Sequence, residues 1–405
     1  MDCEFAVIGA GPAGSSAARL LAQRGASVLL FEKQRMPRRK LCGGALSAQG
    51  MRWLGISIPN SLIDRPVFGL QVHYRGRTMQ ARMPQRVGVL VERASFDHYL
   101  VQKAEDAGAR MAWEEVVALE TRPTDVLLVT RSRQYAVRCA IVCEGANRRL
   151  GRLVSAARPE HCCFCLEAHV PVADTDPCSH LDGLLDIHFG EAPCGYAWVF
   201  HHGTYYSVGI AGLHPAFREP LEIFQSFVRR QGLSLEAVRP RGHFVPWGGV
   251  RRPLCADRVI LAGDAAGVAD PFTCEGIAYA VRGGQLAAET VLELAEQDDF
   301  SRAALLRYEA RCWEAFGKNL RHSLFLTRLA HAFPPVVRLM LSSETALRRD
   351  MLTVLGESTY RRYTAWLVSR APWLSWQHIT AAHQEATEHS GPPQDGHEDR
   401  RLAPQ

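Results

Sequence analysis

Two carboxylates and a thiol stand at glycine-rich turns of this 405-residue chain, and their spacing is the first sign of chemistry. Phe5-Ala-Val-Ile-Gly-Ala-Gly-Pro-Ala-Gly14 is an apolar strand that enters a Gly-x-Gly-x-x-Gly turn and continues into the apolar-periodic Ser15 to Gly25. In such a turn Gly9 makes the tight bend and Gly11 lets the backbone approach a pyrophosphate. Gly14 lets the helix sit close to the strand, so that its N-terminal amides face the phosphates. Ser27-Val-Leu-Leu-Phe-Glu32 supplies a second strand ending in an acid. Glu32 can then accept the hydrogen bonds of an adenosine ribose, which disfavours a 2′-phosphate there.

The second carboxylate lies some 250 residues later, in Arg258-Val-Ile-Leu-Ala-Gly-Asp-Ala-Ala-Gly-Val-Ala-Asp-Pro-Phe-Thr-Cys-Glu-Gly-Ile277. A short buried strand ends at Gly263-Asp264, from which a carboxylate can bind the ribityl hydroxyls of a flavin. Glu275-Gly276-Ile277 then opens a small-residue helix, Ala278 to about Glu296. Its positive end suits the ring edge where charge accumulates on reduction. The expected cofactor is therefore FAD. One dinucleotide motif indicates no separate nicotinamide domain, so electrons are expected from NAD(P)H in passing contact or from a ferredoxin-like partner. The thiol sits in Leu41-Cys42-Gly43-Gly44-Ala45, where two glycines permit close backbone contact with something flat.

The elements that must position these groups form a discontinuous pattern. Val67 to Met83 alternates as strands, Glu92 to about Gly108 reads as a helix, and Val116–Glu120, Asp125–Arg131 and Tyr135–Cys143 read as a meander. From about Glu160 to Val250, short alternating strands with Pro and Gly punctuation suggest a mainly antiparallel sheet. The expected architecture is α/β. Residues 1–65, 90–155 and 251–300 form a Rossmann-type FAD-binding domain, 66–89 and 156–250 an inserted antiparallel substrate domain, and 301–383 a C-terminal helical region broken at Phe333-Pro334-Pro335. Residues 384–405 cannot bury a core and are expected to be disordered.

Composition narrows the class. At 47% hydrophobic and 22% charged, with a formal charge of +5, the chain suits a protein of two or three packed units with no nucleic-acid partner. No uninterrupted apolar run is long enough to span a bilayer, and the first strand starts at the N-terminus, so a cytoplasmic location without a secretory signal is expected. The twelve cysteines read as free thiols. Cys162-Cys163-x-Cys165 with His161 and His169 comes nearest to a metal motif but has no second half, so no metal is expected. Near the C-terminus Tyr360 to Trp366 and Ala371 to Trp376 mix aromatics with arginine. That composition suits a helical cap or, alternatively, contact peripheral to a membrane surface.

Taken together, the Gly-x-Gly-x-x-Gly with Glu32, the Cys42-Gly43-Gly44 turn, Arg93 at its helix start, and Gly263 to Gly267 with Pro271 to Ile277 resemble the geranylgeranyl reductase family. That family belongs to the wider flavoprotein fold of p-hydroxybenzoate hydroxylase, and the similarity covers nearly all of residues 1 to 380. The resemblance implies reduction of carbon-carbon double bonds in an isoprenoid, lipophilic substrate. It also implies FAD contacts at Ala13, Glu32, the Cys42 to Ala45 turn (Cys42, Gly43, Gly44, Ala45), Arg93, Val117, Asp264, Gly276 and Ile277. The family's Tyr-x-Trp-x-Phe-Pro segment is matched by Tyr196-Ala-Trp198-Val-Phe200, whose alternating rings share one strand face and suit an apolar substrate wall as well as a core stripe. His201 replaces the proline, Gly209-Ile210-Ala211 replaces a Gly-x-Gly, and Cys274 occupies a place usually held by glycine.

Saturating an alkene takes a hydride to one carbon and a proton to the other in a dry cavity. A thiol has a reference pKa of about 8.5 and carries its proton at neutral pH. Cys42 is therefore the candidate catalytic residue, set against the plainer reading of a small packing side chain. His201 and His202 read more readily as structural than as acid/base groups. The competing reading is an FAD-dependent monooxygenase or halogenase acting on an aromatic substrate. A halogenase would carry Trp-x-Trp-x-Ile-Pro, which Tyr196 to His201 does not supply.

Overall fold

The computed structural model describes residues 1–155, 161–173, 177–214, 216–236 and 238–369. Strand Cys3–Ile8 pairs in parallel with Gln134–Val142 on one side and Val28–Phe31 on the other, and Val28–Phe31 pairs in parallel with Arg110–Ala112. Val259–Leu261 continues the sheet beyond Gln134–Val142, and the meander strands Val126–Thr130 and Val116–Thr121 add to it antiparallel. The strands read as continuous apolar runs because both faces are covered. Helix Ile277–Ala295 lies along helix Pro12–Gln23 so tightly that a Cβ on Gly284 would stand 2.1 Å from the Ala13 carbonyl oxygen.

A second sheet of seven strands runs Arg241–Pro246, Cys162–Pro171, Tyr205–Leu213, Tyr196–His201, Leu184–Phe189, Gly69–Tyr74, Arg77–Arg82. All neighbours are antiparallel except Leu184–Phe189 with Gly69–Tyr74. One face of this sheet carries Trp198 and Phe200 towards the C-terminal helices; the other packs Tyr206, Val208 and Ile210 against Phe224 and Phe227 of helix Pro220–Arg230. A small third sheet joins Ala45–Ser47, Gly88–Leu90 and Arg65–Val67 behind the cysteine turn. The expected α/β flavoprotein architecture with an antiparallel substrate sheet and a helical C-terminal region is thus what the chain adopts.

Helix Arg302–Cys312 packs through Leu305, Tyr308 and Cys312 on the core of the first sheet, and helices Lys318–Ala332, Pro335–Met340, Glu344–Val354 and Tyr360–Ser369 close over the second. Phe333-Pro334-Pro335 does interrupt them, as the missing proline N–H requires. Tyr360, Tyr363 and Leu367 are buried in the same core as Trp198 and Phe200, which makes the Tyr360 helix a cap rather than an exposed aromatic belt. The Ala371 to Trp376 segment and the 384–405 tail lie outside the described residues.

Candidate functional site

One cavity of about 990 Å³ runs from the first glycine turn, past the cysteine turn, to the aromatic face of the second sheet. Gly9, Gly11, Ala13, Glu32, Cys42, Gly43, Gly44, Ala45, Arg93, Asp264, Gly276, Ile277, Tyr196, Trp198 and Phe200 all line it. Gly14 and Val117 do not. A Cβ on Gly14 would stand 1.8 Å from the Gly9 carbonyl oxygen, so this residue is the contact between helix and turn. Val117 alternates away from the buried Val116, and Val116 takes its place on the wall.

The nucleotide end is held by backbone. Gly9 sits at φ +102°, and a Cβ there would come within 2.3 Å of the Cys143 carbonyl oxygen. The buried carboxylate of Glu32 accepts from the Ala10 amide at 3.1 Å and the Gln34 amide at 3.2 Å, which ties the second strand to the glycine turn. Arg38 bridges its Oε2 at 3.3 Å to Asp97 Oδ2 at 3.2 Å. Asp97 in turn takes Arg93 bidentately at 2.8 and 2.9 Å, and Arg93 reaches the Cys42 thiol. Burial works against charge on Arg93, but Asp97 and then Cys42 outweigh it and hold the guanidinium above its ordinary range. A chain of polar contacts therefore runs from Glu32 through Arg38, Asp97 and Arg93 to the Cys42 thiol.

The two glycines after Cys42 are required by the protein itself. A Cβ on Gly43 would stand 2.9 Å from the Phe200 ring, and one on Gly44, at φ +69°, 2.3 Å from the Val91 carbonyl oxygen and 2.8 Å from His202 Cε1. The close approach inferred for these glycines is thus at least partly to the aromatic strand, which packs directly on the turn. His202 is buried there, with Nδ1 2.7 Å from Asp64 Oδ2 and Nε2 3.2 Å from the Gly43 carbonyl oxygen.

At the other end, Tyr196, Trp198 and Phe200 form a ladder with ring centroids 6.0 and 6.2 Å apart. Tyr196 donates its hydroxyl to the Thr273 carbonyl, and Trp198 donates Nε1 to Ser207 at 3.1 Å. The Thr273 loop is organised by buried Asp270, which accepts from the Phe272 and Thr273 amides and the Ser323 hydroxyl at 2.7, 3.1 and 2.7 Å. Cys274 follows at φ +56°, the left-handed conformation that explains why glycine commonly stands here. Its sulfur contacts Cys163, Cys165 and Tyr196. Contacts from Cys163 and then Cys165 pull Cys274 down, while contact with Cys274 and burial push those two thiols up.

Several titratable lining residues were not among the expected site residues, Glu275, Glu167 and His243 among them. Glu275, half-buried, is pushed up to about 7 chiefly by burial and caps the following helix through the Ala278 amide at 2.8 Å. Glu167 is fully buried; Ser207 donates to its Oε1 at 2.8 Å, His169 Nε2 stands 3.3 Å from the same oxygen, and Oε2 has no hydrogen-bond partner among the described residues. His243 also faces the cavity, with Nδ1 unpartnered. The available signal was the alternation Cys163, Cys165, Glu167, His169, which puts an acid on the cavity face of an otherwise apolar strand.

Residues 7–46 match the family of NAD(P)-binding Rossmann-like domains. A geranylgeranyl bacteriochlorophyll reductase-like protein from Thermoplasma acidophilum has the same fold, with a TM-score of 0.77 at 22% identity over 95% of this chain and 99% of that one. The flavin-dependent brominase Bmp2 follows at 0.71, 17% identity, and 96% and 98% coverage. Digeranylgeranylglycerophospholipid reductase 2 of Methanopyrus kandleri is 29% identical over 92% of this chain and 98% of its own length. Reductase 1 of the same organism is 32% identical over 347 residues, 78% of this chain and 87% of that protein. With that identity carried across most of both chains, and the glycine turns, acid and thiol meeting in one cavity, this protein belongs to the digeranylgeranylglycerophospholipid reductase family of FAD-dependent oxidoreductases.

Proposed function

We propose that this chain adds hydrogen across carbon-carbon double bonds of an isoprenoid lipid lying against Tyr196, Trp198 and Phe200. The observation that carries this reading is the continuity of the cavity: the dinucleotide turn, the Cys42 thiol and the aromatic ladder share one continuous volume. The residues at its first end fit FAD. Space beside Gly11 is open towards the cavity, the nearest atom to a Cβ being Arg38 Nη2 at 3.7 Å, whereas the positions beside Gly9 and Gly14 are filled by backbone. Gly9, Gly11 and Ala13 would meet the pyrophosphate, Glu32 the ribose, Asp264 the ribityl chain, and Gly276, Ile277 and the Cys42 to Ala45 turn the ring system. FAD held there, once reduced by two electrons, would supply the hydride.

The chain's own part is to exclude water, to orient the alkene and to hold a proton close to it. Phe272, Met340, Leu341, Leu347 and Leu355 complete an apolar wall that a hydrocarbon chain fills at the gain of roughly 25 cal/mol per Å² buried. Cys42, fixed by Arg93 and by the packing of Gly43 and Gly44 on Phe200 and His202, is the proton donor in this reading. No helix among the described residues is long and apolar enough to cross a membrane. Contact with a membrane surface during lipid exchange, and NAD(P)H or a ferredoxin-like protein as electron donor, complete the proposal.

The test is incubation of dithionite-reduced holoenzyme with unsaturated isoprenoid glycerolipids, followed by mass spectrometry. Gain of two hydrogens per double bond is the expected result. Gain of one oxygen in the presence of dioxygen, with no hydrogenation, would replace this reading with the monooxygenase one.

A further inference from the structure

Helix Glu344–Val354 brings Leu347, Asp350 and Val354 to the cavity, the spacing of one helix face. Around them the lining is hydrocarbon: Val337, Met340, Leu341 and Leu355 from the adjoining C-terminal segments, and Val72 and Ile187 from the second sheet. Asp350 is the one polar side chain that residues 318–369 bring to the cavity.

The fold leaves this acid unmatched. Asp350 is 5% exposed, and its Oδ1 has no hydrogen-bond partner among the described residues. The Tyr363 hydroxyl, from helix Tyr360–Ser369 packed alongside, is its polar neighbour, and that oxygen too closes no hydrogen bond of regular geometry. The basic residues before it are engaged elsewhere: Arg348 pairs with Glu344 at 2.8 Å, and Arg349 stacks over Trp366. Burial pushes the Asp350 carboxyl well above the ordinary carboxylate range, with weaker opposition from Tyr363, so the neutral acid is favoured. A neutral carboxyl offers one O–H donor and a carbonyl acceptor. Left unmatched among hydrocarbon groups they cost free energy that a leucine in the same place would not. A few polar groups set in an apolar cavity are the usual means of fixing how a ligand lies in it.

We propose that Asp350 receives the hydroxyl of an isoprenoid alcohol, which both donates to and accepts from the carboxyl, with the hydrocarbon chain running back past Phe200 towards Cys42. The proposal rests on the reductase reading given above and narrows its substrate. Arg38, Arg39, Lys40, Arg93 and Arg149 line the cavity around the glycine and cysteine turns, whereas residues 318–369 contribute no cation to it. A phosphorylated isoprenoid would therefore find no counter-charge beside Asp350, and a plain hydrocarbon would leave the acid unmatched. The alcohol group held at the far end presents the isoprene units remote from it to the cysteine turn.

The test is equilibrium dialysis of the full, oxidised, FAD-loaded chain in decyl maltoside against tritiated twenty-carbon probes: geranylgeraniol, the matching hydrocarbon without the hydroxyl, and geranylgeranyl phosphate. Wild type should hold the alcohol roughly tenfold or more tightly than either of the others, the scale of one buried hydrogen bond. Asp350→Leu should bring the alcohol down to the affinity of the hydrocarbon, while Asp350→Asn, whose amide keeps a donor and an acceptor, should retain a preference. Retained flavin absorbance reports that each variant is folded, and the wild-type ratio needs no variant. Equal wild-type affinity for alcohol and hydrocarbon, tightest binding of the phosphate, or an alcohol preference that survives Asp350→Leu would overturn the proposal. Binding is read without turnover, so a failure to hydrogenate would defeat the reductase reading and leave this ratio standing, whereas loss of the ratio alone would defeat only the role of Asp350.

Discussion

The two ends of the cavity are built by different means. At the nucleotide end, position is set by backbone and by buried charge: Gly9 and Gly14 are pressed against carbonyls, and Glu32, Arg38, Asp97 and Arg93 form a continuous chain of contacts. At the aromatic end, position is set by side chains on paired strands, with Trp198 held by one bond to Ser207 and the thiols of Cys163, Cys165 and Cys274 filling the angle beside Tyr196. A backbone site tolerates almost no substitution and keeps one cofactor. A side-chain wall is reshaped by one residue at a time, which is how one fold serves reductases and the structurally similar brominase.

Gly11→Val is the strongest way to break the nucleotide end. The added side chain points into open cavity and clashes with no backbone, so the protein should fold and yet lose most of its FAD, measured as flavin absorbance after gel filtration. Normal FAD content would show that the turn does not hold the cofactor. Cys42→Ser probes the junction of the two ends. FAD retention and flavin reduction should be unchanged, while substrate reduction slows by roughly tenfold or more, the scale of general acid effects. Wild-type rates of both steps in stopped flow would remove the catalytic role of Cys42.

Glu275 gives a smaller effect, read through pH. Its carboxyl is raised to about 7 in the folded protein against an ordinary value near 4.5, so the folded state binds the extra proton. Its contribution is fully present below about 4.5 and is lost as pH rises through about 7. In flavin-free protein, denaturant midpoints should therefore fall over that window, and Glu275→Gln should flatten the fall; an unaltered slope in the variant would refute the assignment. Cys274→Gly should change least. It removes a left-handed non-glycine conformation, worth about 1–2 kcal/mol, but also a buried thiol, so stability should move by less than about 1 kcal/mol. Relative rates on short and long isoprenoid substrates should shift instead, and an unchanged ratio would take Cys274 out of the substrate wall.

Much of the nucleotide end was legible along the chain because its determinants are local. A strand, a glycine turn, a helix and an acid within 32 residues imply one another through covalent geometry. Val117 does not line the cavity whereas its neighbour Val116 does, because adjacent side chains on a strand face opposite ways. The aromatic end was less legible. That Tyr196, Trp198 and Phe200 share a face follows from a period of two, but what that face meets does not.

Local pattern thus decided the first glycine turn, the strand faces and the break at Phe333-Pro334-Pro335, since each depends on neighbours in sequence. Only tertiary structure decided that Arg93 reaches Cys42, that His202 braces Gly43, that Glu167 lies buried beside Ser207, and that His73 stands against His188. Those contacts join segments tens to more than a hundred residues apart. Their geometry is fixed by strand register and sheet packing, which no short window of residue types encodes.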